Sequence, residues 1–522
     1  MPRRPCGVFR RPVRTSPHRG DLLSCSTLIF LGLFLQGRTS SDPGDLPVHP
    51  IDRVLAQYWR VRGVTPAPPC SDSEFQRRVT LDLIGRLPTP AEHLRYSQSQ
   101  DPRKRQRWVD ELLDQRELPL FWGERLASIL LGYPQEKYSL GLAFKPMLAR
   151  WITANLEQAR GYDDIVGELI RSSAQWPPKQ GPDAVYPAFG TIFLNGGGRP
   201  DGFEEVLGRT ARMFLGISLQ CAQCHDHPRD RWTQEDFQGM LGFYARLDTA
   251  GPLPGKPPRT WAPPVFLDGS TPRDGFRRIS ELARLVVRPE NVRFSRTAAN
   301  RFWAHFMGQG VIEPLDDLGD GKGALVPGLL EELGGILTRE AFHLKPFFRL
   351  LVTSEVYQQS SRSDGAAEIG AFTRARVRPL DPEQLFGALT TATRPGPDKN
   401  VPEELRSGFI RMIARTSDGE AASRLSEYTA GLEQALRLAD STSPVFAGAK
   451  AGTGGMLDRV LAKKLSPPDA IREIYLIVLT RPPEAEELSK CLHHVKEASD
   501  LPAGLGEIFW ALLNSNEFYF NH

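Results

Sequence analysis

The stretch Ser71–Leu94, SDSEFQRRVTLDLIGRLPTPAEHL, reads as two helices with a stop between them. Phe75, Val79 and Leu83 recur every four residues, which places them on one helical stripe, and Gly85 ends the run. Thr89 then stands as an N-cap, Pro90 takes the first helical position, and Glu92 follows three residues after the cap, the pattern of a capping box. The same signals continue outward. Helices are expected at Arg103–Gln115, Phe121–Gly132, Phe144–Ala159 and Tyr162–Ala174, with a short extended piece at Tyr186–Leu194 and another helix over Glu204–Leu219. Thr233 and Asp236 mark a further helix start. From Thr249 to Gly275 seven prolines exclude regular helix. Helical patterns resume at Phe276–Val287, Phe294–Gly308, Pro327–Glu340 and Lys345–Ser361, and the tail closes with amphipathic runs over Ala470–Val495 and Gly504–Phe520. Looser segments are expected at 362–371, 394–403 and 440–455. The fold class is therefore mainly α: two helical domains, 48–248 and 276–522, joined by a Pro/Gly-rich linker at 249–275, with little β structure.

Composition narrows the function classes. Of 522 residues, 40% are hydrophobic and 24% charged, which excludes wholesale disorder and a polytopic membrane protein. The net charge of +3 is carried by the leader, because residues 1–37 contain six arginines against Asp21 alone. The remainder is slightly acidic, with no basic footprint for nucleic acid. Leu22–Gly37 is uncharged and shorter than the ~20 residues of a comfortable membrane span. Residues 1–37 thus read as a secretory signal or an uncleaved N-terminal anchor. The protein is expected to be exported, periplasmic or at the cell surface, touching membrane only through that segment. Four cysteines then remain: Cys70, Cys221, Cys224 and Cys491.

Two of them lie in LQCAQCHDHPRDRW, Leu219–Trp232, which has three readings. In c-type attachment, Cys221 and Cys224 bond the haem vinyls and His225 becomes the proximal iron ligand. Alternatively, Cys221, Cys224 and His227 have the C-x2-C-x2-H spacing of a zinc or other divalent-metal site, completed by His225, Asp226 or Asp230. The third reading is a Cys221–Cys224 disulfide or thiol pair, or more simply a polar turn stapled by that disulfide in a structural cell-surface protein. Met213 and Met240 flank the motif as axial candidates for a haem, and Met307 lies further along.

Several stretches resemble the secreted planctomycete proteins that join a planctomycete cytochrome-like domain to a second planctomycete-specific domain, both of uncharacterised function. The first domain's resemblance is carried by IDRVLAQYWRVRGVTPAPP, RRVTLDLIGRLPTPAE and RMFLGISLQCAQCHDHPRDRWTQEDFQGMLGFYARL. The second domain's is carried by ENVRFSRTAANRFWAHFMGQGVIEPLDDLG, LKPFFRLLVTSEVYQQSS, RVRPLDPEQL, IYLIVLTRPPEAEEL and ALLNSNEFYFNH. The resemblance implies a c-type cytochrome relationship and makes His305, in one of these motifs, the preferred distant haem ligand. The expectation is a redox or electron-transfer protein with haem c at Cys221, Cys224 and His225 and an unknown redox partner or cell-surface component. The alternatives are a metal-dependent enzyme or carbohydrate-processing accessory using His225, His227 and Asp226, and the structural protein.

Other candidates point to blander roles. Gly319–Gly323, GDGKG, lacks phosphate-loop spacing and reads as a glycine-rich turn. Asp316 and Asp317 are paired carboxylates or a solvated turn. Arg376, Arg378, Asp381 and Glu383 suggest an anion or glycan pocket, or more simply a surface ion-pair cluster. His343, His493 and His494 show no ligating spacing. Trp122, Trp151, Trp303 and Trp510 read as core.

Overall fold

The structure is a computed structural model, and it describes residues 49–131, 139–172, 203–245, 261–273, 277–319, 322–362, 371–394, 401–414 and 444–522. The leader and the extended piece expected at Tyr186–Leu194 lie outside these residues, as do most of the proline-rich stretch and parts of the three looser segments.

The first segment contributes α1 (Pro50–Arg62), α2 (Asp72–Ile84), α3 (Pro90–Gln98), α4 (Lys104–Asp114), α5 (Glu117–Leu131), α6 (Ser139–Glu157), α7 (Tyr162–Ser172), α8 (Phe203–Thr210) and α9 (Gln234–Leu241). After the proline-rich stretch come α10 (Arg278–Val287), α11 (Val292–Met307), α12 (Leu329–Arg339), α13 (Leu344–Thr353), α14 (Pro382–Thr393) and α15 (Glu403–Ala414). The tail adds α16 (Met456–Ala462), α17 (Pro467–Leu479), α18 (Ala485–Glu497), α19 (Leu501–Leu513) and α20 (Asn516–Tyr519). The β structure among the described residues is one two-residue antiparallel pair, β1 (Arg378–Pro379) on β2 (Phe520–Asn521), with Arg378 opposite Asn521.

Local chemistry sets these boundaries. Ser71 Oγ accepts the Glu74 N–H at the start of α2, and Gly85, at φ 70°, ends the helix in the left-handed conformation that glycine adopts without strain. The Thr89–Glu92 capping box is present at α3, and Thr233 forms the same arrangement with Asp236 at α9. The helix expected over Glu204–Leu219 is shorter. It runs through α8 into a wider turn at Ala211–Leu215 and stops at Gly216, where a side-chain methyl would lie 2.7 Å from Thr297 Oγ1.

Burial of α2 is more complete than its stripe suggests: every residue from Phe75 to Ile84 is buried, including Gln76, Arg77, Arg78 and Asp82. The reason is that α2 stands between two hydrophobic cores. Phe75, Val79 and Leu83 face a large core running from Ile51 to Phe372. Leu81 instead joins Leu87 in a second core built from Leu380 to Phe518. Packing crosses the proline-rich stretch as well, with α7 against α10, α1 against α12 and α4 against α13. The described residues lie in one compact unit, Val48–His522, in which the two helical segments share an interior.

Candidate functional site

The cysteine–histidine motif forms a short, tight turn on the surface. Leu219 and Ala222 point inward, while Cys221, Cys224, His225 and Asp226 are exposed and His227 is partly so. Its polar groups are spent on the turn itself. His225 Nδ1 pairs with the Asp226 carbonyl at 2.7 Å, Asp226 Oδ1 accepts the Gln234 N–H at 2.9 Å, and His227 Nδ1 accepts the Arg229 N–H at 3.2 Å.

This geometry corrects the expected function. A covalent haem needs its two thiols and proximal histidine in the wall of a cleft that buries the porphyrin. Both thiols and His225 instead project from the surface, and none of the four cavities described below includes them. His305 serves elsewhere: it is buried on α11, its ring lies 4.8 Å from that of Trp122, and its Nε2 pairs with the Asp82 carbonyl at 3.0 Å. Burial pushes its imidazole well below the ordinary histidine range. Met240 is fully buried in the core, where it packs rather than faces a cofactor. The metal reading fails too, because among the described residues no three His, Cys, Asp or Glu side chains converge as a metal ion requires. Cys221 and Cys224 are free thiols, so the disulfide staple is not formed. These residues do not form the redox, metal-dependent or stapled site that their spacing suggested.

The stretches that carried the resemblance meet at α2. Asp82 is fully buried, and its Oδ1 accepts from Arg378 at 2.6 Å, Asn521 at 2.8 Å and Gln384 at 3.2 Å. Its Oδ2 accepts the Tyr357 hydroxyl at 2.8 Å. Burial pushes the carboxyl up, and the Arg378 guanidinium pulls it back down. Arg78 bonds the carbonyls of Tyr357, Gln359 and His522 and the Glu74 carboxylate. Arg77 bonds those of Val478, Glu517 and Phe518. Asp381 pairs with Arg125 at 2.9 Å, and Glu383 accepts from Ser128 and Lys145. Arg378, Asp381 and Glu383 are thus interior ties between segments, whereas exposed Arg376 donates to Gln309. A void beside Arg378, also touched by Arg78, Arg374 and Arg376, holds only about 20 Å³, room for a single water. The network is a structural clasp.

Two cavities suit a small ligand, and a third opening is an apolar groove of about 860 Å³ between α17, α18 and α19. One of the two, of about 320 Å³, lies where the motif loop meets α11, lined by Leu215, Arg293, Arg296, Ile312, Leu318, Gly319 and Lys322. Arg293 and Arg296 are three residues apart and so share a helix face. The indole of Trp232 lies between the Arg231 and Arg293 guanidinium groups, 4.7 and 4.9 Å from its ring centre. A methyl on Gly319 would come 2.6 Å from Asp230 Oδ2, so the motif loop presses against Gly319. Lys322 N–H bonds the Gly319 carbonyl at 3.0 Å. Carboxylates flank these bases: Glu331 lies 3.1 Å from Arg296, Asp317 pairs with Lys322, and Asp316 lies 3.8 Å from Arg212. The paired aspartates are therefore counter-ions rather than an acid–base couple. Sequence reasoning missed Arg293, Arg296 and Lys322; the one available signal was the i, i+3 arginine pair.

The helical fold, with two segments sharing one interior, defines the class of protein. Residues 50–249 match PSCyt2, described as a protein of unknown function (DUF1549), and residues 277–406 match PSD1, described as a protein of unknown function (DUF1553). The chain belongs to the proteins that join these two domains in this order. No curated protein and no solved structure matches it.

Proposed function

We propose that the chain is a binding protein for a small oxyanion-bearing ligand, held in the cavity between the motif loop and α11. The observation that supports this reading is that Arg293, Arg296 and Lys322 together line a cavity of about 320 Å³. That volume is roughly ten waters, enough for a carboxylate, sulfate or phosphate group with a short attached body. Guanidinium groups recognise such oxygens through paired N–H donors, and Lys322 adds a point charge.

Titration calorimetry of the full chain with acetate, sulfate and inorganic phosphate tests the reading and separates the three chemistries. Saturable binding to at least one is expected, at least about tenfold weaker in Arg296→Gln/Lys322→Gln, each charge-assisted bond being worth ~1.5–3 kcal/mol. Absence of binding to all three, or binding indifferent to the double variant, overturns it. We also propose that the protein works outside the cytoplasm. The support is the arginine-rich leader ahead of the uncharged Leu22–Gly37; among the described residues no helix is long and apolar enough to cross a membrane. Recovery of the chain only from the cytoplasmic fraction of its host would overturn that.

A further inference from the structure

The remaining cavity has the same volume as the oxyanion cavity and the opposite lining. It holds about 320 Å³ between α5, the end of α6 and the turn that leads into α13. Leu118, Pro119, Leu156, Leu344 and Phe348 make apolar walls around Trp122. The polar side chains in the lining are Arg160, His343 and Lys345, all nitrogen bases, and no carboxylate stands among them. His343 and Lys345 are exposed, so two of the three bases stand at the solvent edge of an apolar chamber.

Two further observations concern its wall. Trp122 is 1% exposed and its indole N–H has no hydrogen-bond partner. A buried donor without an acceptor is destabilising, and in a native structure it calls for an explanation. Trp232 and Trp303 share this condition, yet neither lines any of the four cavities. The backbone around the chamber is also held in left-handed conformations that usually fall to glycine: Ala159 at φ 53°, Ala341 at 48° and Phe342 at 56°. Ala159 lines the chamber directly, and the Phe342 carbonyl is fixed by the Tyr162 N–H at 3.0 Å.

We propose that this chamber is a second binding site, for a compact carboxylic acid with an apolar, ring-sized body. The body fills the walls beside Trp122, and the carboxylate faces Lys345 and His343. Apolar walls disfavour a strongly hydrated dianion, because stripping its water is unfavourable without full pairing, whereas a single carboxylate can keep its charge at the solvent edge. Arg160 is already held by Asn155 at 2.5 Å and Glu168 at 2.7 Å, which makes it part of the frame. Lys345 lies 3.7 Å from exposed Asp114, a pairing a ligand can displace.

Phenylacetate and its neutral counterpart phenylacetamide serve as probes, read by the indole N–H resonances of the full chain, with the Trp122 signal assigned through Trp122→Phe. The expected result is a saturable shift of that signal with phenylacetate and about tenfold weaker binding in His343→Glu/Lys345→Glu, whose two positions are exposed. Failure of phenylacetate to bind overturns the proposal, as does binding that leaves the Trp122 signal in place or that phenylacetamide and the double variant reproduce unchanged. Should Trp122→Phe not fold, calorimetry of the rim variant with the two probes carries the test: no heat with phenylacetate, or binding that phenylacetamide and the rim variant reproduce unchanged, overturns the proposal. Arg296→Gln/Lys322→Gln leaves this binding unaltered if the two sites are independent, so failure of one proposal is distinguishable from failure of the other.

Discussion

The motif turn at Leu219–Trp232 and helix α2 are both dense in chemistry-bearing residues, and the structure treats them in opposite ways. In the turn, the cysteines, His225 and Asp226 point outward, and the bonds its histidines and Asp226 make go to nearby backbone. In α2, Arg77, Arg78 and Asp82 look like the polar side of an ordinary amphipathic helix, yet they are buried and collect partners from as far along the chain as His522. Proximity in sequence is a poor guide to convergence in space, because a local cluster has solvent as its cheapest partner and a buried charge has none.

The contrast can be broken most readily at Asp82. Asp82→Ala leaves the half-buried Arg378 guanidinium and the Tyr357, Gln384 and Asn521 donors without their buried carboxylate, and about 3 kcal/mol of stability is expected to be lost in urea unfolding. Adding Arg378→Met should recover part of the loss, and no recovery would mean that the pair is not the reason. Arg77→Met strips the buried Val478 and Phe518 carbonyls and the partly buried Glu517 carbonyl of this donor, for an expected loss of about 2–3 kcal/mol by the same measurement.

A subtler effect is expected at Asp381, whose carboxyl is pushed up to about 6 by burial, against the pull of Arg125 and with the help of Glu383. The folded protein therefore holds that proton more tightly than the unfolded chain does, and the stabilisation is complete below the ordinary carboxylate value and lost as pH rises through about 6. Measured against Asp381→Asn, the wild type should lose on the order of 2–3 kcal/mol between pH 4 and 7. A slope of the opposite sign would sharpen the picture toward a carboxylate fully ionised by Arg125. The smallest effect belongs to the turn: Cys221→Ser/Cys224→Ser should change the unfolding free energy by less than about 0.5 kcal/mol, since both side chains are exposed.

What was legible in the sequence follows the same division. Helix class, the stop at Gly85, and the boxes at Thr89 and Thr233 depend on residues within one turn of each other, so local pattern finds them. The inward stripe of Phe75, Val79 and Leu83 was legible, but the burial of α2's other face was not, because it is imposed by helices α14 to α20 hundreds of residues later. Trp122, Trp151 and Trp303 are core as expected, whereas Trp510 is 37% exposed on the rim of the groove beside α18. The basic cavity escaped for a similar reason: Lys322 and Leu215 reach it from separate turns, and only the Arg293–Arg296 spacing is local. His343, which shows no ligating pattern in sequence, edges the apolar chamber.

The bonds from Arg77 and Arg78 to Val478, Glu517, Phe518 and His522 span 401 to 444 positions of chain. During synthesis, α2 must therefore wait for residues made 401 to 444 positions later before its two guanidinium groups find their carbonyls. Such long-range closure makes assembly slow and late. It also means that a chain passed through a membrane in extended form would keep α2 unfinished, and remain threadable, until α17 and α20 had followed it across.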